Sequence, residues 1–206
     1  MKNFYDNYDY YLYYALIGDR SVGKTQLIYR YEKDKYDDSI LSTTGYYKTL
    51  KTLMIEDKII LLTIYDSGKD VLLRLNTIQN FTCVIFVYDI TDKESFENVP
   101  KYLKNFQKNN NNKLVFKVLV GNKSDEDGNK ERQVEKKEGI KFAEDHHMLF
   151  FETSAKYNKN VKEIFKQSAH EILDKINKGE YNLNNLSYGI KKDKKKCETC
   201  CSCYIF

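Results

Sequence analysis

The chain has 206 residues, 41% of them hydrophobic, which suits one domain with a full central sheet. Its net charge is +4, and residues 191–206 supply +3 of it through Lys191, Lys192, Lys194, Lys195 and Lys196 against Asp193 and Glu198. A nearly neutral body argues against a nucleic-acid partner, and a basic tail points to an anionic membrane surface.

Residues 1–9 are polar and tyrosine-rich, a short leader without the apolar core of a signal peptide. No apolar run reaches the roughly 18 residues that span a bilayer. Tyr10 to Ile17 reads as a buried strand. It leads into Gly18-Asp19-Arg20-Ser21-Val22-Gly23-Lys24-Thr25, which fits G-x-x-x-x-G-K-[ST]. Gln26 to Arg30 then opens a helix, so backbone N–H groups and the positive end of the dipole converge on an anion. In this pattern Lys24 reaches the β- and γ-phosphates and the Thr25 hydroxyl ligates Mg²⁺.

Next comes a polar stretch from Glu32 to Ser42, then Thr43-Thr44-Gly45. Leu50 to Ile55 and Ile59 to Tyr65, with Glu56-Asp57-Lys58 between them, predict an antiparallel hairpin ending in Asp66-Ser67-Gly68. Residues 69–80 are a mixed segment with some helical character. Cys83 to Asp89 is solidly apolar and predicts a buried parallel strand with Cys83 in the core. Ser95 to Gln107 predicts a helix with Pro100 in its first turn, and Leu114 to Gly121 another buried strand. Lys136 to His146 predicts a helix whose apolar residues are Ile140, Phe142 and Ala143, followed by a short strand at Met148 to Phe151. Val161 to Ile176 has apolar residues at steps of three and four. The apolar period stops beyond Lys178. The expected organisation is therefore a leader at 1–9, a domain at 10–177 and a tail at 178–206. Alternating strands and helices imply a mostly parallel sheet covered on both faces, with ligands at the carboxyl ends of the strands.

Further stretches converge on the same ligand. Asn122-Lys123-Ser124-Asp125 follows a strand, and a carboxylate there accepts from the N1–H and N2 amine of guanine. Adenine offers no such pair, and charge-assisted bonds are worth about 1.5–3 kcal/mol each. The backbone of Glu152-Thr153-Ser154-Ala155-Lys156 can meet the guanine oxygen. Thr43 can add a second hydroxyl to Mg²⁺, and Asp66 can hold the metal through water.

With these motifs in order, the chain resembles a small GTPase of the Ras superfamily, most similar to the Rab branch, from about Tyr10 to Ile176. The resemblance implies the P-loop NTPase fold, with a six-stranded, mostly parallel sheet, one antiparallel edge strand and helices on both faces. It also implies a cycle between GTP and GDP with Mg²⁺. Residues 33–44 would form a first switch, with Tyr36 beside the nucleotide, and residues 66–80 a second. The implied partners are an exchange factor, a GTPase-activating protein and effectors, through residues 33–48 and 66–80.

The second switch departs from the family. Where relatives read W-D-T-A-G-Q-E, this chain has Tyr65-Asp66-Ser67-Gly68-Lys69-Asp70. Either a residue is missing before the glycine or Lys69 stands in the glycine's place. On both alignments no glutamine orients the attacking water, which implies slow hydrolysis. Arg20 stands where many relatives carry a small residue. Its guanidinium could lie against the γ-phosphate, or fill the space a partner's arginine needs. Thr44-Gly45-Tyr46-Tyr47-Lys48 also departs from the Rab I-G-V-D-F.

Cys203-Tyr204-Ile205-Phe206 fits C-a-a-X, and a final Phe favours geranylgeranylation by a prenyltransferase. One lipid is a marginal anchor, so the lysines, or acylation or prenylation of Cys200 and Cys201, would supply the second signal. These features imply a lipid-anchored protein on the cytoplasmic face of an intracellular or plasma membrane. Zinc is the weaker reading of C-x-x-C-C-x-C, because structural sites combine separated pairs. Three rival functions remain: a pseudo-GTPase that recruits partners without hydrolysis, a Ras-like signalling GTPase, and a P-loop ATPase or kinase. The last conflicts with the N-K-S-D and E-T-S-A-K stretches.

Overall fold

The computed structural model describes residues 8–40, 46–67, 80–110, 114–125, 131–183, 185 and 188–192. Strand β1 (Tyr10–Ile17) runs into helix α1 (Lys24–Lys33). The hairpin β2 (Tyr46–Ile55) and β3 (Lys58–Ser67) follows, then β4 (Cys83–Asp89). Helices α2 (Lys93–Glu97) and α3 (Val99–Asn109) lead to β5 (Phe116–Asn122), α4 (Lys136–Asp145), β6 (Leu149–Glu152) and α5 (Val161–Asn177). A last short strand is β7 (Ile190–Lys192).

The sheet order is β2-β3-β1-β4-β5-β6. β1 pairs in parallel with β3 and β4, β5 with β4 and β6, while β2 and β3 are antiparallel. The mostly parallel sheet with an antiparallel edge strand is thus the one expected. A seventh strand is added to the six. β4 begins its pairing opposite Tyr14, so the backbone of Tyr10 to Leu12 has no β4 partner on that edge. β7 pairs antiparallel with those three residues. Packing therefore continues past Lys178: Tyr181 and Ile190 are buried in the core, and the Tyr181 hydroxyl donates to the Leu114 carbonyl at 2.8 Å.

Side chains alternate across each strand, so neighbouring residues serve different layers. Tyr14 and Leu16 join Leu27 and Ile28 of α1 and Phe165 and Ile172 of α5 in one core. Ala15 and Ile17 join Tyr102 and Leu103 of α3 and Ala143 of α4 in the other. β4 is buried at every position, as a strand covered on both faces must be. Burying a Phe, Ile or Leu side chain is worth about 1.5–3 kcal/mol, so the long buried row of α5 holds one whole face.

One helical expectation is revised. The helix expected from Ser95 to Gln107 is two helices meeting at Asn98. The Asp92 side chain caps the first by accepting from Glu94 N and Ser95 N, which starts a helix earlier than the apolar period suggests. On α4, Ile140 is exposed, and the buried face is made by Gly139 and Ala143. A β-carbon at Gly139 would lie 2.6 Å from the Tyr88 hydroxyl, so only a glycine lets α4 sit this close to the sheet.

Candidate nucleotide-binding site

All the described loops with functional motifs lie at the carboxyl ends of β1, β3, β5 and β6. The loop after β1 folds through Gly23, the N-cap of α1, at φ +94°. A β-carbon there would sit 2.3 Å from Asn122 Nδ2, so the cradle requires glycine for both backbone and space. No side chain caps α1, and the positive end of its dipole, which favours an anion, faces the loop. Lys24, 7% exposed, is folded over the loop and donates to the carbonyls of Gly18 at 2.9 Å and Asp19 at 2.6 Å.

A hydroxyl and a carboxylate also meet beside the loop. The Thr25 hydroxyl donates to Asp66 Oδ2 at 2.5 Å, and Asp66 is fully buried at the end of β3. A hydroxyl and a carboxylate in contact beside a phosphate cradle match the hard oxygen donors that Mg²⁺ takes. The residues present fit a magnesium–nucleotide complex. Asp19 does not point toward phosphate. Its carboxylate accepts from Tyr102 Oη at 2.6 Å and Asn98 Nδ2 at 2.7 Å, which ties the loop to α3. Arg20 and Ser21 are exposed on the loop, and Val22 is buried beneath it.

Beyond the loop lies a cleft lined by Gly23, Gln26, Tyr36, Asn122, Lys123, Asp125, Ala155 and Lys156. Seven of these eight are residues singled out in the sequence; Gln26 is the addition. Partial burial and the Asp38 carboxylate raise the Tyr36 phenol above its ordinary value, so this ring stays neutral. Asp125 and Ser154 meet, with the serine hydroxyl donating to the carboxylate and also accepting from Tyr157 N at 2.9 Å. The loops after β5 and β6 are thereby joined.

Asn122 is structural rather than exposed to the cleft alone. Its amide donates to Val22 O at 2.9 Å and its carbonyl oxygen accepts from Thr153 Oγ1 at 3.0 Å, stapling the phosphate loop to the end of β6. Sequence reasoning missed Asp89, whose carboxylate ion-pairs with Lys123 at 2.6 Å. Its signal was there: one charge closing an otherwise apolar buried strand. Thr43, Gly68, Lys69, Asp70, Cys200, Cys201 and Cys203 lie outside the described residues.

The model of the Ras family matches residues 14–174. Ras-related protein Rab-13 of Bos taurus is 37% identical over 194 residues, covering 93% of each chain. Ras-related protein Rab-8 of Diplobatis ommata is 36% identical over 188 residues, covering 90% of this chain and 88% of the relative. Ras-related protein RABE1e of Arabidopsis thaliana is 34% identical over 177 residues, or 84% and 80% of the two chains. A glycine loop, an oxygen pair and a carboxylate-bearing cleft at the carboxyl ends of the strands agree with that match, and the chain belongs to the Ras family of small GTPases, most similar to the Rabs.

Proposed function

We propose that this protein is a guanine-nucleotide switch of vesicle and membrane traffic, with slow intrinsic hydrolysis. The observation that carries the reading is the shared cleft, where Asp125, held by Ser154, stands beside the loop of Lys24 and Thr25. The phosphate loop binds the triphosphate, Lys24 leaving its carbonyl partners for phosphate oxygens. Asp125 accepts from the guanine edge, and Ala155 and Lys156 offer backbone N–H to the 6-oxygen. Mg²⁺, when bound, neutralises phosphate charge, with Thr25, Thr43 and Asp66 as its residues. Tyr36 covers the nucleotide from the first switch.

Hydrolysis is slow in this reading because no side chain positions the attacking water. Lys69 is donor-only, Asp70 is shorter than a glutamine, and Arg20 can stabilise charge but cannot orient water. An exchange factor, an activating protein and effectors would act through residues 33–48 and 66–80. The tail would hold the protein on the cytoplasmic leaflet through a prenylated Cys203, with Cys200, Cys201 and the lysines as the second signal.

The altered second switch favours a second reading, a pseudo-GTPase that recruits partners and keeps its GTP. Single-turnover hydrolysis with Mg²⁺ separates the two. The expected intrinsic rate is measurable, in the range of about 10⁻⁴ s⁻¹, and rises in Lys69→Gln. A native rate above about 10⁻² s⁻¹ overturns the slow-switch reading, and no turnover at all selects the pseudo-GTPase.

A further inference from the structure

Arg30, on the last turn of α1, lies outside the phosphate loop and outside the Thr25–Asp66 pair. Its guanidinium nevertheless spends three N–H groups on three backbone carbonyls. Nε donates to Ala155 O at 2.8 Å, Nη2 to Lys156 O at 2.9 Å and Nη1 to Asp34 O at 2.8 Å. The first two belong to the stretch that lines the base cleft; the third is the C-cap of α1, where the first switch begins. The same junction is crossed again by Asn158, whose amide donates to Asp34 Oδ1 at 2.8 Å.

We infer that Arg30 is a positioning residue for guanine recognition, aiming the Lys156 backbone N–H that reads the base's 6-oxygen. The inference rests on reading the cleft as the guanine site. A peptide unit is planar and trans, so its N–H points opposite to its C=O. Holding the Ala155 carbonyl therefore fixes the direction of the Lys156 N–H, away from Arg30. The Lys156–Tyr157 unit is held at both ends, its carbonyl by Arg30 and its N–H by the Ser154 hydroxyl. Rotation of either peptide would break a charge-assisted bond. The Ser154–Lys159 bridge closes this turn at its ends but leaves the Ala155 and Lys156 carbonyls to other donors, and a planar fork with several fixed donors is the side chain suited to holding both. Lysine, a single point charge, cannot grip two carbonyls in fixed directions.

This role predicts a loss confined to one edge of the base. 6-Thio-GTP keeps the N1–H and N2 amine but presents a weak sulfur acceptor at position 6, whereas ITP keeps the 6-oxygen and lacks the N2 amine. Affinities of GTP, 6-thio-GTP and ITP are measured for the full chain and for Arg30→Ala and Arg30→Lys, with thermal melts of each. The native protein is expected to disfavour 6-thio-GTP by about tenfold, the loss of one good hydrogen bond. In Arg30→Ala that preference falls to about twofold or less, while the preference for GTP over ITP, set by Asp125, is kept; these margins are again one bond's worth. Arg30→Lys falls between the two, and carries the test if the alanine variant does not fold.

An unchanged 6-thio-GTP preference in both variants overturns the assignment. So does a parallel fall in both preferences, which would mark a general loosening of the fold. A lysine variant equal to the native protein also overturns it, because charge alone would then suffice. A native protein indifferent to both analogues removes the guanine reading itself, an outcome distinct from the others.

Discussion

Gly23→Ala is the perturbation whose cost the structure specifies most fully. The residue sits at φ +94°, where a side-chain-bearing residue is strained by about 1–2 kcal/mol. The added β-carbon would also lie 2.3 Å from Asn122 Nδ2, so Asn122 must move. Asn122 makes two buried hydrogen bonds, to Val22 O and from Thr153 Oγ1, each worth about 0.5–1.5 kcal/mol. The expected loss is about 2–5 kcal/mol, depending on how much of that staple survives. Gly179→Ala is the matched control: its φ is +76°, but nothing lies within 4 Å of an added β-carbon. It should show the backbone cost alone, about 1 kcal/mol. Urea denaturation at one fixed GDP concentration, with GDP dissociation measured separately, reads both effects. If Gly23→Ala costs no more than Gly179→Ala, the staple is not what the cradle leans on. Unaffected GDP release alongside a fall in stability also refutes that role of the staple, because the two are here one structure.

Asp125→Asn should lose preference for GTP and gain affinity for XTP, whose extra carbonyl needs a donor; an unmodified protein that binds ATP and GTP equally would end this expectation. The change should reach about 1.5–3 kcal/mol, read by competition binding. Cys203→Ser should release the protein from membranes into the soluble fraction, and a variant that stays bound would move the anchor to Cys200, Cys201 or a protein partner. Alkaline titration should split the tyrosines. Burial raises the phenols of Tyr14, Tyr31, Tyr88 and Tyr181 above their ordinary value near 10.0. Above pH 10 the unfolded chain loses these protons while the folded chain keeps them. The stability they contribute is thus complete below about pH 10 and declines as the pH rises toward the folded values. Tyrosinate absorbance should lag for these residues until circular dichroism reports unfolding; smooth titration of all tyrosines with the fold intact would refute the burial argument.

Contiguous motifs carried much of the site in the sequence. Gly18 to Thr25 needs only its own spacing, because the backbone of one turn makes the cradle and Lys24 and Thr25 follow on the next. The alternation of strands and helices, and the apolar steps of α5, likewise follow from local periodicity that burial repeats residue by residue. The tertiary structure alone decided which distant groups serve that local frame. Asp89 pairs with Lys123, Asp19 is held by Asn98 and Tyr102, and Arg30 reaches residues more than a hundred positions away. Nothing in the local pattern around an Arg on a helix tells which carbonyls it will meet. β7 was hidden for a related reason. Ile190-Lys191-Lys192 has one apolar residue and two charges, the composition of a solvated tail. It forms a strand because β4 begins late and leaves the backbone of Tyr10 to Leu12 in need of hydrogen bonds. An edge is a property of the assembled sheet, and no short stretch of sequence contains it.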